Sequence, residues 1–383
     1  MKGNAKKAFI GLGVTVWLGL GFLSPSFTEA QNALTIGLAT PLSGRSADWG
    51  RMQKQGADLA VAEINAKGGI NGIKFDLIVE DDKADPKEAA NVAKKFTADP
   101  KIKVVIGHLT TPMSFAAGPI YQRAKVPQII SLASNPNLPK QGDYIFQNTT
   151  VQTAESPGAA RYAIKHVRAK KVALIYINDD WGASVKEIFP KAVEELGGKI
   201  VAIEAYTPGE IDFRTLITKI KNQNPDILYG AYHPAEAAQL VKQAKELGVS
   251  FPIYLSSGAQ TYSFINLAGP AAEGVVFITG FDPEDPDLYV QDFVKKFKAK
   301  FSNETPTVYS ALVYDSVMLI AEAIKNIKGE VTQKTIRDGL ANLKNIKSLC
   351  GTVTPNEFRC FLPRKIIAVV VKDGAFKYQT TVD

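Results

Sequence analysis

The sequence predicts an α/β protein built as two doubly wound parallel-sheet lobes, and three observations carry that reading. Short aliphatic runs alternate with amphipathic stretches of helical length from Leu34 onward, the pattern of βαβ units. The alternation restarts after Gln152, so the pattern is doubled. The tripeptide Asp-Trp-Gly stands once in each half, at 48–50 and 180–182, each time after a strand and at the opening of a helix.

The chain of 383 residues is long enough for two ordinary domains at about 150 residues each. Residues 1–30 stand apart. Lys2, Lys6 and Lys7 precede the apolar run "AFIGLGVTVWLGLGFL", and Thr28-Glu29-Ala30 offers small residues for cleavage. This pattern predicts a secretory signal peptide and a periplasmic protein. The run of 16 residues is shorter than the roughly 20 that span a bilayer, and no cysteine follows for lipid attachment.

In the first half the strands are "LTIGLA", "FDLIVED", "KVVIG" and "PQIIS", with helices near 51–67, 86–98 and 113–125. In the second they are "KVALIYI", "KIVAIEAY", "DILYGA", "PIYLSS" and "GVVFIT", with helices near 155–168, 183–197, 213–224 and 235–247. "DLYVQDFVKKFKAKF", "YSALVYDSVMLIAEAIKNI" and "QKTIRDGLANL" then read as helices, before strands return in "GTVT" and "KIIAVVVKDG".

Composition excludes some functions. The net charge of +7 falls to +5 without the three lysines and one glutamate of the leader, and the lysines are scattered over helix faces. A nucleic-acid partner would ask for a basic patch. His108, His166 and His233 lack metal-ligand spacing, and neither Gly-x-Ser-x-Gly nor His-Glu-x-x-His occurs, so no metal, cofactor or catalytic residue is expected. The glycine-rich "GLGVTVWLGLG" lies in the leader and cradles no phosphate. Cys350 and Cys360, with Pro355 and Asn356 between them, read as a hairpin closed by a disulfide in an oxidising compartment.

Ligands of open parallel sheets settle at the carboxyl ends of strands, where helix N-termini present unpaired N–H groups. "KVVIGHLTTPMSF" places Thr110 and Thr111 there, ahead of Pro112. "PQIISLASNP" ends in Ser131, Ser134 and Asn135. Such hydroxyls suit a carboxylate, and they equally suit ordinary N-caps and turns. Outside the leader the only tryptophans are Trp49 and Trp181, one per lobe on matching loops, which predicts two indoles facing each other across a cleft. Tyr232 and His233 stand at a further strand-to-helix junction.

"PLSGRSADWG", "GADLAVAEINAKGGINGIK", "EDDKADPKEAANVAKKF", "VVIGHL", "SLASNP" and "AYHPAEAAQLVKQAKELG" occur in an order that resembles the periplasmic solute-binding proteins of branched-chain amino acid ABC transporters, the leucine/isoleucine/valine-binding type. The resemblance implies a type I periplasmic binding fold whose two lobes are joined by three crossings. Lobe 1 would take residues 31–151 and 282–349, lobe 2 residues 152–281 and 350–383. It implies a receptor that passes a small carboxylate-bearing solute to an inner-membrane permease and ATPase.

Carried over from that family, Thr111 would hold the ligand carboxylate with Thr110 beside it. Ser134, next to Ala133, would supply a second hydroxyl, and the Leu132 carbonyl would receive an ammonium. Trp49, Trp181, Tyr232 and Tyr309 would form aromatic walls. Three departures follow. Ser257 replaces the glutamate that leucine-type binders place against the ammonium, so that Asp179, Asp180 or Glu155 substitutes or the ligand lacks an ammonium. Both walls are tryptophan where tyrosine is usual. "FQNTT" stands where Phe-Arg-Thr is common. The rival readings are a secreted hydrolase using His108 or His233 and a ligand sensor for a membrane receptor.

Overall fold

The computed structural model describes residues 33–382; the predicted leader lies outside them. Five parallel strands, β1 (Ala33–Thr40), β2 (Lys74–Asp81), β3 (Ile102–Ile106), β4 (Gln128–Ile130) and β5 (Ile145–Gln147), form one sheet in the order β2-β1-β3-β4-β5. The second sheet contains β6 (Lys171–Ile177), β7 (Lys199–Tyr206), β8 (Ile227–Ala231), β9 (Ile253–Ser256) and β10 (Val276–Thr279), all parallel. A short three-stranded sheet follows, of β11 (Ile346–Ser348), β12 (Gly351–Pro355) and β13 (Phe361–Leu362). The antiparallel β14 (Ile367–Lys372) and β15 (Ala375–Thr381) then complete the second sheet in the order β15-β14-β10-β9-β8-β6-β7.

Both faces of the first sheet are covered, which is why its strands read as continuous aliphatic runs. Side chains alternate across the sheet. Val104 and Ile106 therefore join a core with α1 (Ala47–Ala66), while Val105 joins the opposite core with α2 (Pro86–Ala98) and α3 (Thr111–Ala124). In the second lobe the core gathers α4 (Gln152–Arg161), α5 (Asp180–Glu195), α6 (Arg214–Lys221), α7 (Pro234–Glu246) and α8 (Tyr262–Ala268).

The late helices α9 (Leu288–Lys300), α10 (Val308–Lys325) and α11 (Gln333–Ala341) return to the first core. Helix α10 is buried on nearly every side, as an apolar sequence without a polar stripe requires. It lies close against α1 because Gly56 has no side chain: a Cβ there would come within 2.1 Å of the Ser310 carbonyl oxygen.

The chain passes between the two cores after β5, after β10 and after β13. Val353 and Phe361 belong to the first core, and Ile366 and Ile367 to the second. We therefore assign residues 350–362 to lobe 1, with the last crossing after Leu362 and not after Leu349. Arg364, buried in that crossing, donates to the Asn148 side chain of the first crossing, to Ser348 Oγ at 3.0 Å and to the Phe361 carbonyl at 2.9 Å.

The expected disulfide is corrected by the hairpin register. Strands β12 and β13 pair Pro355 with Phe361 and Thr354 with Leu362, and the Asn356 N–H donates to the Cys360 carbonyl. Cys360 thus sits opposite the turn, six residues of extended chain from Cys350, or roughly 20 Å along a strand. A disulfide needs Cα atoms within about 7 Å. Both thiols are free and buried, and the Cys360 thiol donates to Gln147 Oε1 at 3.4 Å. Among the described residues no helix is long and apolar enough to cross a membrane.

Candidate functional site

The carboxyl ends of β1, β3, β4, β5, β6, β8 and β9 converge on one cavity between the lobes, about 630 Å³ including its open mouth. The Asp-Trp-Gly tripeptides build two of its walls by the same local device. A Cβ on Gly50 would lie 1.7 Å from the Pro41 carbonyl oxygen, and one on Gly182 would lie 1.8 Å from that of Ile177. Glycine lets the first helical turn press on the end of the preceding strand, and the tryptophan before it is turned into the cleft. In the second lobe Asp179 caps the helix, its Oδ1 accepting the Gly182 N–H at 2.8 Å.

Trp49, Thr110, Thr111, Leu132, Ala133, Ser134, Trp181, Ser257 and Tyr309 all line the cavity. Tyr232 does not. It is fully buried behind the wall, stacked on Tyr206 at 4.9 Å and edge-on to Phe213 at 5.9 Å. At the end of β8 successive side chains point to opposite sides, so His233 lines the cavity and Tyr232 faces the core. The expectation of two indoles facing each other is also corrected. His233 lies against both, stacked on Trp181 with centroids 5.6 Å apart and edge-on to Trp49 at 5.0 Å, while Trp49 stacks on Tyr309 at 5.7 Å. Four rings from both lobes form one aromatic wall.

The polar end is made of hydroxyls. Helix α3 has no side-chain cap bond: the Thr110 hydroxyl is turned to Met113 Sδ, and the buried Thr111 Oγ1 has no partner. An ordinary N-cap would have spent its oxygen on the first turn. Thr150 Oγ1 is likewise buried in the lining without a partner. Unsatisfied buried hydroxyls are costly unless a ligand completes them. Ser134 Oγ accepts from Gln152 Nε2 at 3.1 Å, leaving its own proton to donate. The Leu132 carbonyl accepts the Thr149 hydroxyl at 3.3 Å, which leaves one lone pair toward the cavity.

The acids proposed to replace the missing glutamate are placed differently. Asp179 lines the cavity, and burial pushes its carboxyl up against the opposing pull of the Gly182 N–H and of His233. Glu155 is fully buried behind Ser257. Its Oε1 accepts the Ser257 N–H at 2.8 Å and its Oε2 accepts from Gln152 Nε2 at 3.1 Å. Burial raises its pKa to about 7, with the hydrogen bonds from Ser257 and Gln152 acting in the opposite direction. Asp180 serves as the first residue of α5, and its carbonyl accepts from Asn135 Nδ2 across the cleft at 2.7 Å. Tyr309 closes the other side, its hydroxyl donating to the Gly258 carbonyl at 2.7 Å.

Sequence reasoning missed Thr149 and Thr150, although paired hydroxyls at a strand end were the signal that singled out Thr110 and Thr111. It also missed the apolar floor of Leu109, Val308 and Leu312. The last two share a face with Tyr309 through helical spacing on α10. His108 is fully buried outside the cavity, its Nδ1 2.7 Å from Asp82 Oδ2 and its Nε2 3.2 Å from the Tyr121 hydroxyl.

The chain is similar in sequence and fold to known proteins. The chain is 33% identical over 300 residues to the Leu/Ile/Val-binding protein of Escherichia coli, covering 77% of this chain and 80% of that protein. It is 33% identical over 294 residues to the Leu/Ile/Val-binding protein homolog 1 of Brucella suis, covering 76% and 77%. Among solved structures, the branched-chain amino acid transporter substrate-binding protein of Streptococcus pneumoniae in complex with isoleucine superposes with a TM-score of 0.83 at 29% identity, over 91% of this chain and 98% of that one. The periplasmic binding protein family matches over residues 33–366, most of the chain, and the chain belongs to that family.

Proposed function

We propose that this chain captures a small amino acid by its carboxylate in the interlobe cavity and hands it, unaltered, to an inner-membrane permease and ATPase of an ABC importer. The relatives that carry this reading bind branched-chain amino acids by name. The single observation that most supports it is the unpartnered Thr111 hydroxyl at the polar end of a cavity otherwise walled by rings and aliphatic chains. Thr111, Thr150 and Ser134 would donate to the carboxylate, with Thr110 and the Ala133 backbone shaping the same end. Trp49, Trp181, His233 and Tyr309 would enclose the side chain, and Ser257 would face the opposite end. Charge-assisted hydrogen bonds are the stronger kind, so a few of them with aromatic enclosure suffice for micromolar affinity, about 8 kcal/mol.

The leader predicted at residues 1–30 would deliver the chain to the periplasm. Of the two histidines in the hydrolase reading, His108 is held between Asp82 and Tyr121 away from the cavity, and His233 lies in the lining with its ring against Trp181 and Trp49, as a wall of the site. A second reading has its own support: among the described residues Asp179 is the only acid in the lining and already caps α5, which favours an aromatic carboxylic acid without an ammonium. Calorimetric titration with leucine, isoleucine, valine and phenylalanine, followed by recovery of the solute, tests the proposal. Stoichiometric binding with the solute returned unchanged is expected. Conversion of the solute, or silence toward every amino acid, would overturn it.

A further inference from the structure

The cavity is underlain by a buried carboxyl, Glu155, that no lysine or arginine among the described residues pairs with. Glu155 belongs to α4, at the first crossing, and joins the two halves of the site. Gln152 Nε2 lies 3.1 Å from Ser134 Oγ of lobe 1 and 3.1 Å from Glu155 Oε2, so one amide ties the hydroxyl cradle to the acid. The Gln152 oxygen accepts from Ser156 Oγ at 2.6 Å, which fixes the orientation of that amide. On its other side Glu155 holds the Ser257 N–H, and the adjoining Gly258 carbonyl is held by Tyr309 of lobe 1. The loop opposite the cradle is therefore clamped between Glu155 behind and Tyr309 in front.

The groups that face Glu155 are few. They are Ser257 on its loop, Gln152 on its own helix, Tyr229 on β8 and Tyr309 on α10, whose phenols both feel its charge. Among the described residues the partners of Glu155 are the neutral Ser257 N–H and Gln152 amide, while Asp179 and His233 lie in the cavity wall. An isolated buried carboxylate is costly and holds a proton instead. A positive charge placed in the cavity beside Ser257 would be one residue away from this buried carboxyl, where Coulomb interactions act more strongly than in water.

Resting on the amino-acid reading above, we propose that Glu155 is the proton-linked counter-charge of this site: the ligand ammonium, seated against Ser257, drives the Glu155 proton into solvent, and the resulting carboxylate holds the Ser257 loop against Tyr309. No bond of the ligand changes. The proton passes from Glu155 to buffer, and the carboxylate acts on the ammonium across Ser257, so Glu155 acts as a positioning residue and not by contact. This resolves how a site without a lining glutamate accepts a zwitterion.

The test is calorimetry with leucine, isoleucine, valine and phenylalanine in buffers of different ionisation enthalpy, beside 4-methylpentanoate and 3-phenylpropanoate, which lack the ammonium. With a Glu155 pKa of about 7, binding of an amino acid should release about half a proton at pH 7 and nearly one at pH 6. Affinity should rise toward pH 7 by up to about tenfold per pH unit and then level off. Glu155→Gln should abolish that release and flatten the pH profile while retaining Asp179 and His233; its amino-acid affinity should fall about tenfold, with the two ammonium-free acids nearly unaffected. Amino-acid binding without proton release in the wild-type protein, or release that persists in Glu155→Gln, would overturn the linkage while leaving the receptor reading intact. Binding of the ammonium-free acids alone, or of none of these compounds, would overturn both. The proton count on the wild-type protein decides the matter even if the variant fails to fold.

Discussion

Thr111 and Thr150 are the residues on which capture would turn, because each keeps a buried hydroxyl without a partner at the rim of an apolar cavity. Replacing either by valine preserves shape and removes the donor. A hydrogen bond to a charged group contributes roughly 1.5–3 kcal/mol, so Thr111→Val should weaken amino-acid binding roughly 10- to 100-fold. The ligand-free melting temperature should hold or rise, since the costly orphan is gone; a large fall would make Thr111 a structural residue. Three buried acids set a second expectation at this scale. Glu155 is raised to about 7, and Asp282 and Asp315 to about 6, in each case chiefly by burial. A carboxyl raised in the folded state binds its proton more tightly there than in the unfolded chain, so its contribution is present at low pH and is lost as pH rises through the folded value. The ligand-free protein should therefore lose stability between about pH 4 and 7 from these groups, and Glu155→Gln should shallow the upper part of that decline in thermal scans.

At the scale of elements, the Asp-Trp-Gly turns show local sequence dictating geometry. Gly182→Ala would force a Cβ to 1.8 Å from the Ile177 carbonyl oxygen, in a place where neither strand end nor helix can give way cheaply. Overpacking of this kind costs about 1–3 kcal/mol, and the displaced helix start would carry Trp181 with it. Gly182→Ala should lower both the melting temperature and ligand affinity, whereas Trp181→Ala should lower affinity much more than stability. Equal effects from both substitutions would return Trp181 to the core.

The elements themselves were legible because strand and helix periods differ, and the strand-end hydroxyls were legible because both loops follow the carboxyl end of a strand. What failed was phase. Tyr232 and His233 are adjacent at the mouth of β8, and a shift of one residue exchanges wall for core. Cys350 and Cys360 flank a real turn, but pairing of Pro355 with Phe361 sets a register that keeps them apart. Such registers are fixed by contacts distant in sequence, as Gln147 meeting Cys360 illustrates.

In the whole molecule the two lobes lie against each other, with Tyr309 to Gly258, Asn135 to Asp180 and Gln152 to Ser134 among the polar contacts that join them. Under the proposed function, ligand binding should shift the balance toward this form, because here both lobes line the same cavity. The crossings are tied by Arg364, and truncating one partner of a buried polar cluster costs roughly 3–5 kcal/mol. Arg364→Leu should accordingly lower the melting temperature strongly. The third crossing lies later than the sequence suggests because "GTVT" looks like any edge strand, and the packing of Val353 and Phe361 into the first core assigns it to lobe 1.

Trp49 and Trp181, the only tryptophans among the described residues, both line the cavity, so intrinsic fluorescence reports directly on it. Titration with branched-chain and aromatic amino acids should give a saturable change at one ligand per chain that Thr111→Val shifts to higher concentration. An emission spectrum indifferent to every one of these solutes, or a response that Thr111→Val leaves untouched, would contradict capture of a carboxylate between the lobes.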